Sequence, residues 1–207
     1  MRFNAISTPL AVAKTHSDPM PAHIPHANAH TWWFTGLPGA GKSTLANAWA
    51  ERLRQRHPTV VVLDGDELRQ GLNRDLGFSD ADRLENMRRV AELARLLNAN
   101  GIHALVALVS PTRTGRALAR SIVGDGQFTE VFVATPLGVC QQRDPKGLYR
   151  RAAAQEPFGL TGVQSPYEAP EAAEMVVDTS QVSVAEVMTL LAAAWNALPN
   201  NTRHDQL

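Results

Sequence analysis

Gly36, Gly41, Lys42 and Ser43 fall at the spacing G-x-x-x-x-G-K-[ST] inside "WWFTGLPGAGKSTLA", where an apolar run precedes the glycines and a helical pattern follows. Glycines let the backbone curl until successive N–H groups point at one anion, and the helix that follows presents its positive end to the same anion. Lys42 then supplies a mobile cation for β- and γ-phosphates, while the Ser43 hydroxyl is suited to ligate Mg2+. Motif and context together predict a nucleoside triphosphate site. A second set of able residues lies in "LDGDELR", where Asp64 and Asp66 close the next apolar run, at the strand end where parallel sheets gather ligands. If the strand runs on to Asp66, alternation puts both carboxylates on one side, one to order Mg2+ and an attacking hydroxyl, the other to hold the acceptor. A turn stabilised by Asp is the plainer alternative.

The elements that must hold these groups follow from hydrophobic pattern. "TWWFTG", "TVVVLDG", "IHALVALVS", "FTEVFVA" and "EMVVDTS" read as five strands separated by helices, which predicts a parallel sheet covered on both faces. After the glycine turn, Leu45, Trp49 and Leu53 make one apolar helical stripe facing the sheet. A longer helix begins at "FSDADRLENMRRVAELARLL", with Ser79 and Asp82 as capping signal and Leu84, Met87, Ala91 and Ala94 as its apolar stripe. Arg83 and Asn86, on a neighbouring face, are left to meet a ligand or solvent. The Pro- and Gly-rich stretch from Gln155 to Ala172 is long for a compact domain, and such loops are commonly lids.

Composition narrows the class. The 207 residues suit one domain, and twenty basic residues balance twenty acidic ones, so no global field favours nucleic acid or an anionic membrane. A single cysteine, Cys140, rules out an intrachain disulfide and fits a reducing cytoplasm. Residues 1–30 read as a mobile Pro- and Ala-rich arm with neither a signal-peptide core nor a membrane span. Its His16, His23, His26 and His30 have no helical or hairpin spacing to fix a metal. The GTPase base-reading motif N-K-x-D is absent, and the third apolar run ends in Val109-Ser110-Pro111 rather than in an acid.

Taken together, "FTGLPGAGKSTLA", "LDGDELRQGLNRDLGFSDADRLENMRRVAELARLL", "EVFVATPLGVCQQRDPKGLYRRA" and "LTGVQSPYEAPE" resemble the consecutive signatures of the adenylyl-sulfate kinases, over about Trp32 to Ser180. The resemblance implies a three-layer α/β P-loop kinase fold with a five-stranded parallel sheet. A kinase domain would span 31–199 with a lid at about 143–172, and a tail would span 200–207. It implies transfer of the ATP γ-phosphoryl group to the 3′-hydroxyl of adenylyl sulfate with Mg2+, giving 3′-phosphoadenylyl sulfate, in a cytoplasmic homodimer. Carried over by position, ATP would be held by Gly36, Leu37, Pro38, Gly39 and Ala40, by Gly41, Lys42, Ser43 and Thr44, and by Arg143. Lys42 and Asp64 would be catalytic, with Ser43 and Asp64 on the metal. The acceptor would meet Asp66, Arg69, Arg83 and Asn86, with Phe78 stacking on its adenine, and also Val109, Lys146, Gly159 and Leu160. Ser110 matches a serine described in the family as a phosphoserine intermediate; in-line transfer needs none, so Ser110 reads as a wall of the acceptor site.

The chain departs from the family pattern at Ala134, Phe158, Leu160 and Gln164, which stand where an acid, a basic residue, an aromatic and an acid are usual. Two alternatives therefore stand beside the main reading: a related kinase acting on another nucleotide-linked or sugar-like hydroxyl, and a non-catalytic nucleotide-binding module.

Overall fold

The computed structural model describes residues 29–156 and 159–198. Their order is β1 (Thr31–Thr35), α1 (Lys42–Arg54), β2 (Val60–Asp64), α2 (Gly65–Gln70), α3 (Asp80–Ala99), β3 (His103–Ala107) and α4 (Arg113–Val123). A 3-10 turn at Asp125–Gln127, β4 (Phe128–Val133), α5 (Leu137–Arg143), α6 (Leu148–Ala153), β5 (Met175–Val177) and α7 (Val184–Asn196) follow. Among the described residues the strands form one five-stranded sheet, β2-β3-β1-β4-β5, and every pairing is parallel. The glycine turn after β1 thus leaves the middle of the sheet, and the loops after β1, β2 and β3 open at the same carboxyl edge.

Every residue of β1 is buried, and its alternation divides the core. Trp32 and Phe34 enter one face with Leu45, Trp49 and Leu53 of α1 and Trp195 of α7. The Trp32 and Trp49 rings meet edge-on at 5.4 Å, and Trp49 meets Trp195 at 6.5 Å. Each such pair adds about 0.5–1.5 kcal/mol beyond its buried area. Trp33 enters the other face with Met87, Val90, Ala91 and Ala94 of α3 and Ala119 of α4. Three layers result, in agreement with the fold read from the sequence.

Local chemistry sets the ends of the elements. Ser79 caps α3 by accepting from the Asp82 N–H, as the Ser-to-Asp spacing predicts, and Ser183 with Glu186 forms a reciprocal capping box on α7. Two readings are corrected. Leu84 is exposed, and the α3 stripe runs through Met87, Val90, Ala91 and Ala94; the first turns of the helix stand at a cleft, where Arg83 and Asn86 form the wall. The second strand stops at Asp64, whose side chain caps α2 by accepting from Asp66 N, so strand alternation does not bring the two carboxylates together. No helix among the described residues is long and apolar enough to cross a membrane.

Ala29 and His30 belong to this packed unit, both of them buried; the other arm histidines lie outside the described residues. His30 Nε2 lies 2.8 Å from Thr129 Oγ1, and its backbone N–H donates to His103 Nδ1. Burial, then the neighbouring His103 ring, pushes the His30 imidazole from 6.5 down to about 4. The unfolded chain takes up a proton below pH 6.5 that the fold refuses until about pH 4. Stability is therefore complete above pH 6.5 and falls as pH drops through that window, by about 3 kcal/mol for this group. His30→Gln should flatten the pH dependence of the urea midpoint between 6.5 and 4. Parallel profiles for parent and variant would remove His30 as the source.

Candidate active site

Gly36 opens the anion cradle with φ +147°, and a Cβ there would sit 2.5 Å from the Val133 carbonyl oxygen, so β4 closes the position to every other residue. Gly41, at φ 104°, is the N-cap of α1; it offers no side-chain cap, and no acid stands in the first turn. The unpaired N–H groups and positive end of α1 are thus left for an anion. Lys42 is buried, with Nζ donating to Leu37 O at 2.8 Å. Burial is the main cause that pushes its ammonium down to about 8. An anion brought against this group would favour its charged form.

Three residues that sequence reasoning missed hold the cradle in shape. The Ala40 carbonyl oxygen lies 3.0 Å from both Thr135 Oγ1 and Thr179 Oγ1, and the Tyr149 hydroxyl donates to Pro38 O at 2.9 Å. Each sits in a stretch already singled out, "FVATP", "VVDTS" or "RDPKGLY", but nothing local tells a strand-end threonine that it will meet a loop one hundred residues away. Arg143 joins the same cluster, with Nη1 on Thr179 Oγ1 at 2.7 Å and Nη2 on Thr179 O at 2.9 Å.

Ser43 Oγ donates to Asp64 Oδ2 at 2.5 Å, which joins the cradle to the end of β2. Two hard oxygens so close suit a hard divalent cation that keeps most of its waters and takes phosphate oxygens as further ligands. No group of three or more His, Cys, Asp or Glu with metal-ligand placement occurs among the described residues, so they build no all-protein cage.

From this centre a cleft of about 930 Å³ runs past α2 and the start of α3. Its lining includes a ring with two cations against it. Phe78 is half exposed, with the Arg69 guanidinium 4.4 Å and the Arg83 guanidinium 5.6 Å from its centroid. Arg69 Nη1 donates to Gly77 O at 2.9 Å; Arg83 donates from Nε to Phe78 O at 2.9 Å and from Nη2 to Gly159 O at 2.6 Å. Asn86 is buried and its Oδ1 accepts from Asn73 Nδ2, so the donating end of the amide is the part left for a ligand. Asp66 and Lys146 form an exposed ion pair across the mouth, between α2 and the turn after α5.

The cleft wall includes Pro38, Gly39, Gly41, Lys42, Ser43 and Thr44 on the cradle side, and Asp64 beside them. It also includes Asp66, Arg69, Phe78, Arg83, Asn86, Val109, Ser110, Arg143, Lys146 and Leu160. Gly36, Leu37, Ala40 and Gly159 stand behind it, acting through backbone groups. Ser110 is buried, in the left-handed region at φ 47°, and its Oγ accepts from Trp33 Nε1 at 2.9 Å. That geometry gives the hydroxyl the character of a wall. Gln164 Oε1 accepts from Leu160 N and its Nε2 donates to Glu156 O, so this residue folds the loop that carries Leu160. Phe158 lies outside the described residues.

Comparison with known proteins adds four likenesses to this geometry. The family model described as adenylylsulphate kinase matches residues 28–178. An adenylyl-sulfate kinase of Shewanella amazonensis is 57% identical over 149 residues, 72% of this chain and 75% of the relative. The solved structure of the Mycobacterium tuberculosis APS kinase CysC in complex with AMPPNP and APS superposes with a TM-score of 0.79 at 43% identity, covering 82% of this chain and 99% of that one. A hexameric APS kinase from Thiobacillus denitrificans superposes with a TM-score of 0.62 at 31% identity, over 83% of this chain and 30% of the other.

Proposed function

The chain belongs to the adenylylsulphate kinase family, and from that membership we propose the following reading. It is an ATP-dependent transferase that moves the γ-phosphoryl group of ATP to the 3′-hydroxyl of adenylyl sulfate, giving 3′-phosphoadenylyl sulfate. The observation that carries the reading is one cleft lined by the residues of the triphosphate cradle, by Asp64, and by an aromatic ring with two guanidinium groups against it. Phosphoryl transfer asks a protein mainly for alignment and charge neutralisation.

In this reading the cradle N–H groups and Lys42 hold the β- and γ-phosphates, with Arg143 beside them. Ser43 and Asp64 would hold Mg2+, which when bound would supply neutralisation of phosphate charge. Asp64 would also orient the 3′-hydroxyl, whose oxygen forms the new P–O bond as the bond to the ADP leaving group breaks, while its proton passes to the Asp64 carboxylate and on to solvent. The acceptor adenine stacks on Phe78, with Arg69, Arg83 and Lys146 around its anionic tail, and Asp66 and Asn86 bind polar edges. Val109 and Ser110 form the back wall, and the segment 143–172 closes as a lid to keep water from the γ-phosphate. Leu160 supplies an aliphatic wall there, so the burden of stacking falls on Phe78. The protein works in the cytoplasm as a homodimer, which light scattering checks.

The test is a panel of hydroxyl acceptors offered with ATP and Mg2+, following ADP release and product mass. Adenylyl sulfate should support turnover and gain one phosphoryl group. Turnover with another acceptor alone would establish the related kinase, and binding of ATP with no acceptor-dependent turnover would establish a non-catalytic module.

A further inference from the structure

The "SPYEAPE" stretch lies in the segment read as a lid, yet its Tyr167 and Glu168 are fastened to the body of the protein rather than to the cleft. Glu168 N donates to Pro111 O at 2.8 Å, and Glu168 Oε2 accepts from Arg113 N at the start of α4 at 2.7 Å. Tyr167 stacks on Phe132 at 5.9 Å, and its hydroxyl lies 2.9 Å from Thr35 Oγ1. The same Thr35 hydroxyl lies 2.8 Å from the Val109 carbonyl oxygen.

At the centre of these contacts is Arg116 of α4, only 3% exposed. Its Nη1 donates to Ser110 O at 2.7 Å and its Nη2 to Glu168 O at 2.6 Å, while Nε pairs with Glu130 of β4 at 2.8 Å. One planar fork therefore joins the left-handed Ser110, the signature loop and the sheet. Lysine cannot reproduce such a fork, since its donors radiate from one point.

We propose that Arg116 is a positioning residue for the acceptor: through Ser110 O and Glu168 O it fixes the Val109–Ser110 wall, and Tyr167 braces the same wall through Thr35. The proposal rests on the reading of Val109 and Ser110 as acceptor wall. Glu168 is also fastened to the start of α4 and to Pro111, which ties this part of the segment to the body of the protein. Pro38 and Ala40 of the cradle are held by other anchors, Tyr149, Thr135 and Thr179, while the Gly36 N–H reaches the wall at Val109 O at 3.4 Å, so ATP should feel the change less than the acceptor does.

Steady-state kinetics of Arg116→Lys and Tyr167→Phe, with thermal unfolding of each, test the proposal. KM for adenylyl sulfate should rise about fivefold in Arg116→Lys and about threefold in Tyr167→Phe, with KM for ATP within about twofold of the parent. Tyr167→Phe removes only a hydroxyl, so it carries the test if the buried lysine prevents folding. Equal changes in both KM values, or a lower Tm with both unchanged, would make Arg116 a purely structural ion pair and overturn the proposal. Failure of the functional reading would be seen separately, as a parent inactive with adenylyl sulfate. The same comparison would then be run with the acceptor the parent does use.

Discussion

Asp64→Asn and Lys42→Ala should each lower kcat by about 10²-fold or more at saturating ATP and Mg2+, the usual scale for removing a group that stabilises charge at the transferring centre. Neither change should unfold the protein. In Asp64→Asn the amide oxygen can still accept from Asp66 N, so the α2 cap survives, while the negative charge beside Ser43 is lost. Lys42 is a buried cation whose ammonium is disfavoured by desolvation, so alanine removes a cost of the folded state along with the Leu37 hydrogen bond. Its Tm should match or exceed that of the parent even as activity collapses. Near-parental turnover in Asp64→Asn would move the role to Asp66, which the structure places in an exposed pair with Lys146.

How much of this was legible beforehand depended on the range over which each signal acts. The three layers could be read because five apolar runs separated by helical patterns, and the four-residue spacing in α1, are local consequences of which residues are buried. The glycine turn between β1 and α1 could be read because its glycine spacing sits directly between an apolar run and a helical pattern. Asp66 was harder, since whether a strand continues through Gly65 is decided by the cap that Asp64 makes, not by alternation. Leu84 was misjudged for a related reason: periodicity gives the face of a helix but not where along it the core ends. Thr135, Tyr149, Thr179 and Arg116 were invisible because their partners lie across the fold, and an arginine in "TRTGRALAR" carries no mark that it will be buried. The departures at Leu160 and Gln164 looked like changes to substrate contact. The structure shows Gln164 holding the loop backbone: its Oε1 accepts from Leu160 N, as an acid could, and its Nε2 donates to Glu156 O, which an ionised acid could not.

The acceptor end carries the other large effect. Arg83 does two jobs in the geometry: Nε and Nη2 tie Phe78 O to Gly159 O, and the guanidinium lies over the Phe78 ring while lining the cleft. Its remaining N–H groups are free of those carbonyl bonds and are available to an anionic group for charge-assisted hydrogen bonds. Arg83→Ala should therefore raise the dissociation constant of adenylyl sulfate about 30-fold, from the lost ion contact together with the loosened loop, and change that of ATP by less than about twofold. Arg83→Lys separates the two contributions. Lysine keeps the charge but cannot bridge two carbonyls and an anion at once, so an intermediate loss is expected. Calorimetric titration of each nucleotide into parent and variants makes the comparison, with ADP present for the acceptor titrations. Equal weakening of ATP and acceptor would place Arg83 outside the acceptor site, and an unchanged acceptor constant would leave Arg83 as a tether for the loop at Gly159.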